Sequence, residues 1–115
     1  MSGFHAFVEE LFADFGPVRI KRMFGGAGIY AGEVMFGLID DETIYLKTDA
    51  ALKAELAAEG SVGWVYSRAP GKWEETSYWR LPETALDDPD QAAVWARKAL
   101  AVAEAKAAGK RPRRR

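Results

Sequence analysis

Five aromatic residues, Trp64, Tyr66, Trp73, Tyr78 and Trp79, fall within sixteen positions. The ordinary use of rings at this density is cross-strand packing in a sheet. Their functional use is a surface that takes a peptide or stacked bases. These five form the candidate aromatic interaction surface. The second feature is charge. Residues 1–105 hold 10 basic and 17 acidic side chains, a net −7, whereas residues 106–115 hold Lys106, Lys110, Arg111, Arg113, Arg114 and Arg115, a net +6. Concentrated Lys and Arg bind polyanions by releasing counterions, without reading sequence. The ordinary reading is a solubilising tail, or one that folds back on the acidic body. Lys110, Arg111, Arg113, Arg114 and Arg115, together with the strip Arg19, Lys21 and Arg22, are the candidate contacts for nucleic acid or an acidic partner.

Other chemistry is poorly supplied. There is no cysteine, which removes thiolate catalysis, iron–sulfur clusters, Cys-based zinc sites and disulfides. The one histidine, His5, has no partner for a triad or a metal site and sits near the N-terminus. Asp40, Asp41 and Glu42 occupy a predicted tight turn, where carboxylates stay solvated. Asp87 and Asp88 are better explained by helix capping. The stretch Gly26-Ala27-Gly28-Ile29-Tyr30-Ala31 has the G-x-G-x-x-A spacing of a dinucleotide site, but that motif needs a helix after its glycines. Here a strand is predicted, so the glycines mark close backbone approach. The amides of Gly25–Gly28 beside Arg22 are a weaker candidate, for an anion nest. No catalytic residue, metal ligand or cofactor site is therefore expected.

The elements that must position these residues follow from spacing. Phe4, Phe7, Val8, Leu11, Phe12 and Phe15 make one apolar stripe, which predicts a helix from Phe4 to Phe15 stopped by Gly16-Pro17. Four strands follow: one around Val18–Lys21, then Ala27–Ala31, Val34–Ile39 and Thr43–Lys47. Gly32-Glu33 and Asp40-Asp41-Glu42 turn the chain between them. Asp49 caps a short helix that buries Leu52 and Leu56 and closes at Gly60. Two more strands, about 62–68 and 75–81, flank the turn Ala69-Pro70-Gly71-Lys72. Asp88-Pro89-Asp90-Gln91 opens a last helix, with Trp95, Ala99 and Val102 sharing a face, Ala92, Ala96, Leu100 and Ala103 beside it, and Gly109 and Pro112 at its end. The predicted class is α+β, an antiparallel sheet flanked by helices in the order α-β4-α-β2-α. Residues 1–105 are the expected domain and 106–115 a basic, disordered tail. No run of residues approaches a membrane span, and a cytoplasmic protein is expected.

The stretch Arg22-Met23-Phe24-Gly25-Gly26-Ala27-Gly28-Ile29-Tyr30 closely resembles the N-terminal domain of the TfoX/Sxy family, regulators of natural competence in bacteria. So do Met35-Phe36-Gly37-Leu38-Ile39, Ile44-Tyr45-Leu46-Lys47-Thr48-Asp49 and Ser77-Tyr78-Trp79-Arg80-Leu81-Pro82. Met23, Phe24, Gly25, Gly26, Gly28 and Tyr30 carry the most specific part. The resemblance implies a secretion-chaperone-like α+β fold that often dimerises, and a regulatory role without catalytic residues. Full-length members carry a second, helical domain, so this chain is expected to be an N-terminal domain alone.

The expected function is a non-enzymatic regulatory or interaction module, acting through protein contacts in transcription or DNA uptake, with a protein partner or a second copy of the chain. The first alternative is direct nucleic-acid binding through the basic tail. The second is small-molecule binding in the cleft between the sheet and the last helix. Gly26 is expected to resist substitution by valine, on the hypothesis that its backbone lies in a region closed to β-branched residues.

Overall fold

The computed structural model describes residues 3–23, 26–69 and 71–110, apart from the side chains of 66–69, 72–75 and 110. Phe24, Gly25, Pro70 and 111–115 therefore lie outside the described residues, as do the side chains of Tyr66, Trp73 and Lys110. The elements are α1 (Gly3–Leu11), β1 (Arg19–Met23), β2 (Gly26–Ala31), β3 (Val34–Asp40), β4 (Thr43–Lys47), α2 (Ala50–Ala58), β5 (Gly63–Ala69), β6 (Lys72–Arg80) and α3 (Pro89–Lys110), with a 3-10 turn at Glu83–Ala85. The six strands form one antiparallel sheet in the order β1-β2-β3-β4-β6-β5, an α+β fold.

Local signals place most boundaries. The Asp49 carboxylate accepts from the Leu52 amide at 2.8 Å and starts α2, which ends before Gly60 at φ +86°. At α3, Asp88 Oδ1 accepts from the amides of Asp90 (3.1 Å) and Gln91 (3.2 Å). The Gln91 side chain donates back to Asp88 Oδ2 at 3.2 Å, closing a reciprocal cap around Pro89. Gly32, at φ +62°, turns β2 into β3. The β3–β4 turn is made by Asp41 and Glu42, both left-handed at φ 52° and 54°. Two such residues match a tight hairpin twist at a cost that Asn-Gly would avoid.

Several expectations are corrected. α1 stops at Leu11, and residues 12–15 form turns in which the Gly16 amide donates to the Phe12 carbonyl at 3.0 Å. The apolar stripe continues because Phe12 and Phe15 swing onto Phe36, with ring centroids 5.9 and 5.1 Å away. Phe36 can meet them because β3 is bulged. Ile29 pairs with Gly37 and Tyr30 with Met35, so Phe36 is the extra residue and turns to the helix side. On α3 the buried row is Ala92, Ala96, Ala99 and Ala103, while Trp95 and Val102 flank it half-buried. Methyl-sized side chains let the helix lie close against β3 and β4, and bulky rings are displaced to the sides. α3 also runs through Gly109 to Lys110, so Lys106 sits on a helix rather than in a disordered tail.

Buried residues of all three helices join a single core with Ile29, Ile39, Ile44 and Leu46. The helices therefore cover one face of the sheet. Gly26 helps set how closely the strands approach. A Cβ there would stand 2.3 Å from the Ile39 carbonyl oxygen, and its φ is outside the left-handed region. The reason for glycine is thus close approach to β3, not the closed backbone region expected from sequence. Gly26→Ala should lower stability by roughly 2 kcal/mol, a fall in Tm of about 10 °C. Gly109→Ala, where nothing lies within 4 Å, should leave Tm unchanged or slightly higher. Thermal unfolding followed by circular dichroism checks both, and an unmoved Gly26→Ala would refute the steric account.

Candidate interaction face

The second face of the sheet carries no helix among the described residues. Strand alternation and register assign its side chains. Lys21 pairs with Gly28, Gly28 with Leu38, Leu38 with Tyr45, and Tyr45 with Arg80. One row thus crosses five strands with a cation at each end and an apolar, aromatic centre. Beside it run Arg19, Tyr30 and Met35, and on the other flank Lys47 pairs with Tyr78. Trp64 joins from β5: its ring lies 6.1 Å from Tyr45, and its indole Nε1 donates to Asp40 Oδ2 at 3.0 Å.

Glycine shapes this face too. A Cβ on Gly28 would meet Tyr30 at 2.9 Å, Met35 at 3.1 Å and Met23 at 3.3 Å. Those three side chains close over the bare backbone, so the G-x-G spacing serves packing. A strand follows the glycines, and no dinucleotide site is formed. Cations rest on rings across the face: the Arg19 guanidinium carbon is 5.2 Å from the Tyr30 centroid, and Lys47 Nζ is 5.1 Å from that of Tyr78. Lys47 also donates to Ser77 Oγ at 2.6 Å, and Arg19 reaches the Gly32 carbonyl at 3.4 Å. Arg80 approaches the exposed Glu83 at 3.9 Å, a weak surface pair. Lys21 is exposed.

The sequence-derived candidates divide. Arg19 and Lys21 share the open face, whereas Arg22, one residue on, pairs with the core residue Ala27 on the helix side. Trp64 and Tyr78 lie on the open face. Trp79 lies on the other, packed against the core, above Gly63 and beneath Lys53 Nζ at 5.8 Å. Tyr66, Trp73 and Lys110 contribute backbone only to what is described, and Phe24, Gly25, Arg111, Arg113, Arg114 and Arg115 fall outside it. Tyr45, Met35, Leu38, Lys47 and Arg80 belong to the face and were missed. Period-two alternation along Thr43–Lys47 is the signal that places Tyr45 and Lys47 together; for Met35 and Leu38 the bulge hides it.

Among the described residues no group of three or more His, Asp or Glu is arranged to hold a metal. No helix of the described residues is long and apolar enough to cross a membrane. A cavity of about 100 Å³, bordered by Phe4, Phe7, Ile44, Arg80 and Leu86, is smaller than the pockets that take drug-sized ligands.

Burial raises the Tyr45 phenol above its ordinary value near 10, and the Asp40 carboxylate adds to this, against Arg80, which lowers it. Burial also raises Tyr78, with Tyr30 contributing. A raised folded-state pKa means the folded chain holds its proton longer than the unfolded one. The resulting stability is fully present below pH 10 and is lost as pH rises through the folded values. Tyrosinate absorbance should show components titrating above 10, one lost in Tyr45→Phe and another in Tyr78→Phe. Loss in either variant of a component titrating near 10, with the higher components intact, would contradict the burial of that phenol.

Comparison with known families matches residues 10–103 to the TfoX N-terminal domain. No curated protein matches the chain.

Proposed function

Because the chain belongs to the TfoX N-terminal domain family, we propose that it is a non-enzymatic interaction module serving regulation of transcription or DNA uptake, and that its working surface is the open sheet face. One observation carries this reading. The helices spend their apolar residues on one side of the sheet, yet the other side still bears Tyr30, Met35, Leu38, Tyr45, Trp64 and Tyr78. A sheet face that only met water would alternate to polar residues there. Aromatics, methionine and arginine, all present on this face, are the residues enriched at binding surfaces.

Site-specific photo-crosslinking in cells tests the assignment. A benzophenone amino acid at the exposed position 21 of the open face should capture a partner, whereas one at the exposed position 104 of α3 should capture little. Capture only at position 104 would move the working surface to the helices.

A further inference from the structure

We infer that the occupant of the open sheet face is a single-stranded nucleic acid. This rests on the face being the binding surface. Residues 1–105 are acidic overall, at −7. The helices and their ends carry exposed groups of both signs, Glu9, Glu10, Glu55, Glu59, Asp90 and Glu104 beside Lys53, Arg97, Lys98 and Lys106. Strand pairing sends Arg19, Lys21, Lys47 and Arg80 to the opposite side. Among the described strand side chains of that side the carboxylate is Asp40, which accepts from the Trp64 indole. On a body that is acidic overall, a sheet face whose described charged strand side chains are these cations and one engaged carboxylate offers itself to a polyanion.

Geometry then separates single strands from duplexes. The cations frame rings, Tyr30, Tyr45, Trp64 and Tyr78, spread over four strands of one sheet. Flat sheets with aromatics between basic residues hold unpaired bases by stacking, while flanking Lys and Arg meet the phosphates. A duplex hides its base faces and presents only phosphates to such a surface, so the rings would add nothing to its binding. An acidic peptide would use the cations but gain little from four rings. The row from Lys21 on the edge strand β1 through Gly28, Leu38 and Tyr45 to Arg80 on β6 has a cation at each end, which suits a strand whose phosphates meet the cations and whose bases rest on the rings between and beside them.

The test is fluorescence anisotropy of a labelled 20-nucleotide oligo-dT with the full chain, alongside a 20-base-pair duplex, with polyglutamate as competitor. Tryptophan emission is followed in parallel. Two variants separate the sheet from the basic C-terminal residues: Arg19→Gln with Lys21→Gln, on the exposed edge strand where folding is not at risk, and Arg111, Arg113, Arg114 and Arg115 all →Gln. Oligo-dT should bind the full chain at least about tenfold more tightly than duplex and quench tryptophan emission. Two lost phosphate contacts should weaken the edge variant about tenfold and flatten its salt dependence by roughly 1.4 in log–log slope. The arginine-to-glutamine C-terminal variant should keep both the single-strand preference and the quenching. Tyr45→Phe should bind as the parent does and Tyr45→Ala should not, circular dichroism confirming the fold of each. The inference is overturned if the C-terminal variant loses binding while the edge variant keeps it, or if duplex binds as well as single strand. It is also overturned if polyglutamate displaces oligo-dT at equal concentration and quenches equally, an outcome that leaves the open face as a binding surface for acidic protein. Absence of any oligo-dT binding overturns it too, and the crosslinking at positions 21 and 104 then decides separately whether the face is used.

Discussion

Close packing of α3 against β3 and β4 is the constraint on which the remaining architecture depends. Ala92, Ala96, Ala99 and Ala103 bring the helix down onto the bulky core side chains of the sheet, Phe36, Ile39, Ile44 and Leu46 among them, without adding bulk of their own. Within the sheet, glycines let neighbouring strands approach. A Cβ at Gly26 would strike the Ile39 carbonyl, and one at Gly37 would stand 2.8 Å from the Tyr45 carbonyl. The apolar volume that α3 does not supply comes from α1 and the turns behind it, through Val8, Leu11 and Phe12 against the bulged Phe36. A core assembled this way uses all three helices on one side. The layer that would cover the other side is not provided by the described chain.

That asymmetry gives the open face its character. Leu38 is almost fully buried although it stands outside the helical core, because it is shielded by its neighbours on the sheet rather than by a second layer. Tyr30, Met35 and Met23 close over Gly28 in the same manner. Desolvation of Tyr45 and Tyr78 follows from this self-covering, and the same packing holds the rings in fixed positions. Rings fixed before a partner arrives lose little conformational freedom on binding, which is how a small surface gains affinity.

Capping and turn chemistry were legible in the sequence because they are local. Asp49, Asp88 with Gln91, and Gly32 each act within a few residues of themselves. The end of α1 was not legible, since an apolar stripe looks the same whether Phe12 and Phe15 continue a helix or fold back onto Phe36. The bulge at Phe36 shifts the alternation of β3, so a run that reads as continuously apolar divides between two faces only when paired with β2. The face itself was half legible. Trp64 and Tyr78 were found by their density in the chain. Tyr45 and Tyr30 come from distant segments, and only the register of five strands brings them together. The division between Lys21 and Arg22 was available from strand alternation alone, as was that between Tyr78 and Trp79.

The central claim is that this sheet is covered on one side and open on the other in solution. Methyl NMR with a soluble paramagnetic agent measures that directly. The methyls of Met23 and Met35 should be strongly broadened, while those of Ile29, Ile44 and Leu46 should be spared. Protection of the methionine methyls to the level of the core isoleucines would contradict the account, because something would then already cover the open face.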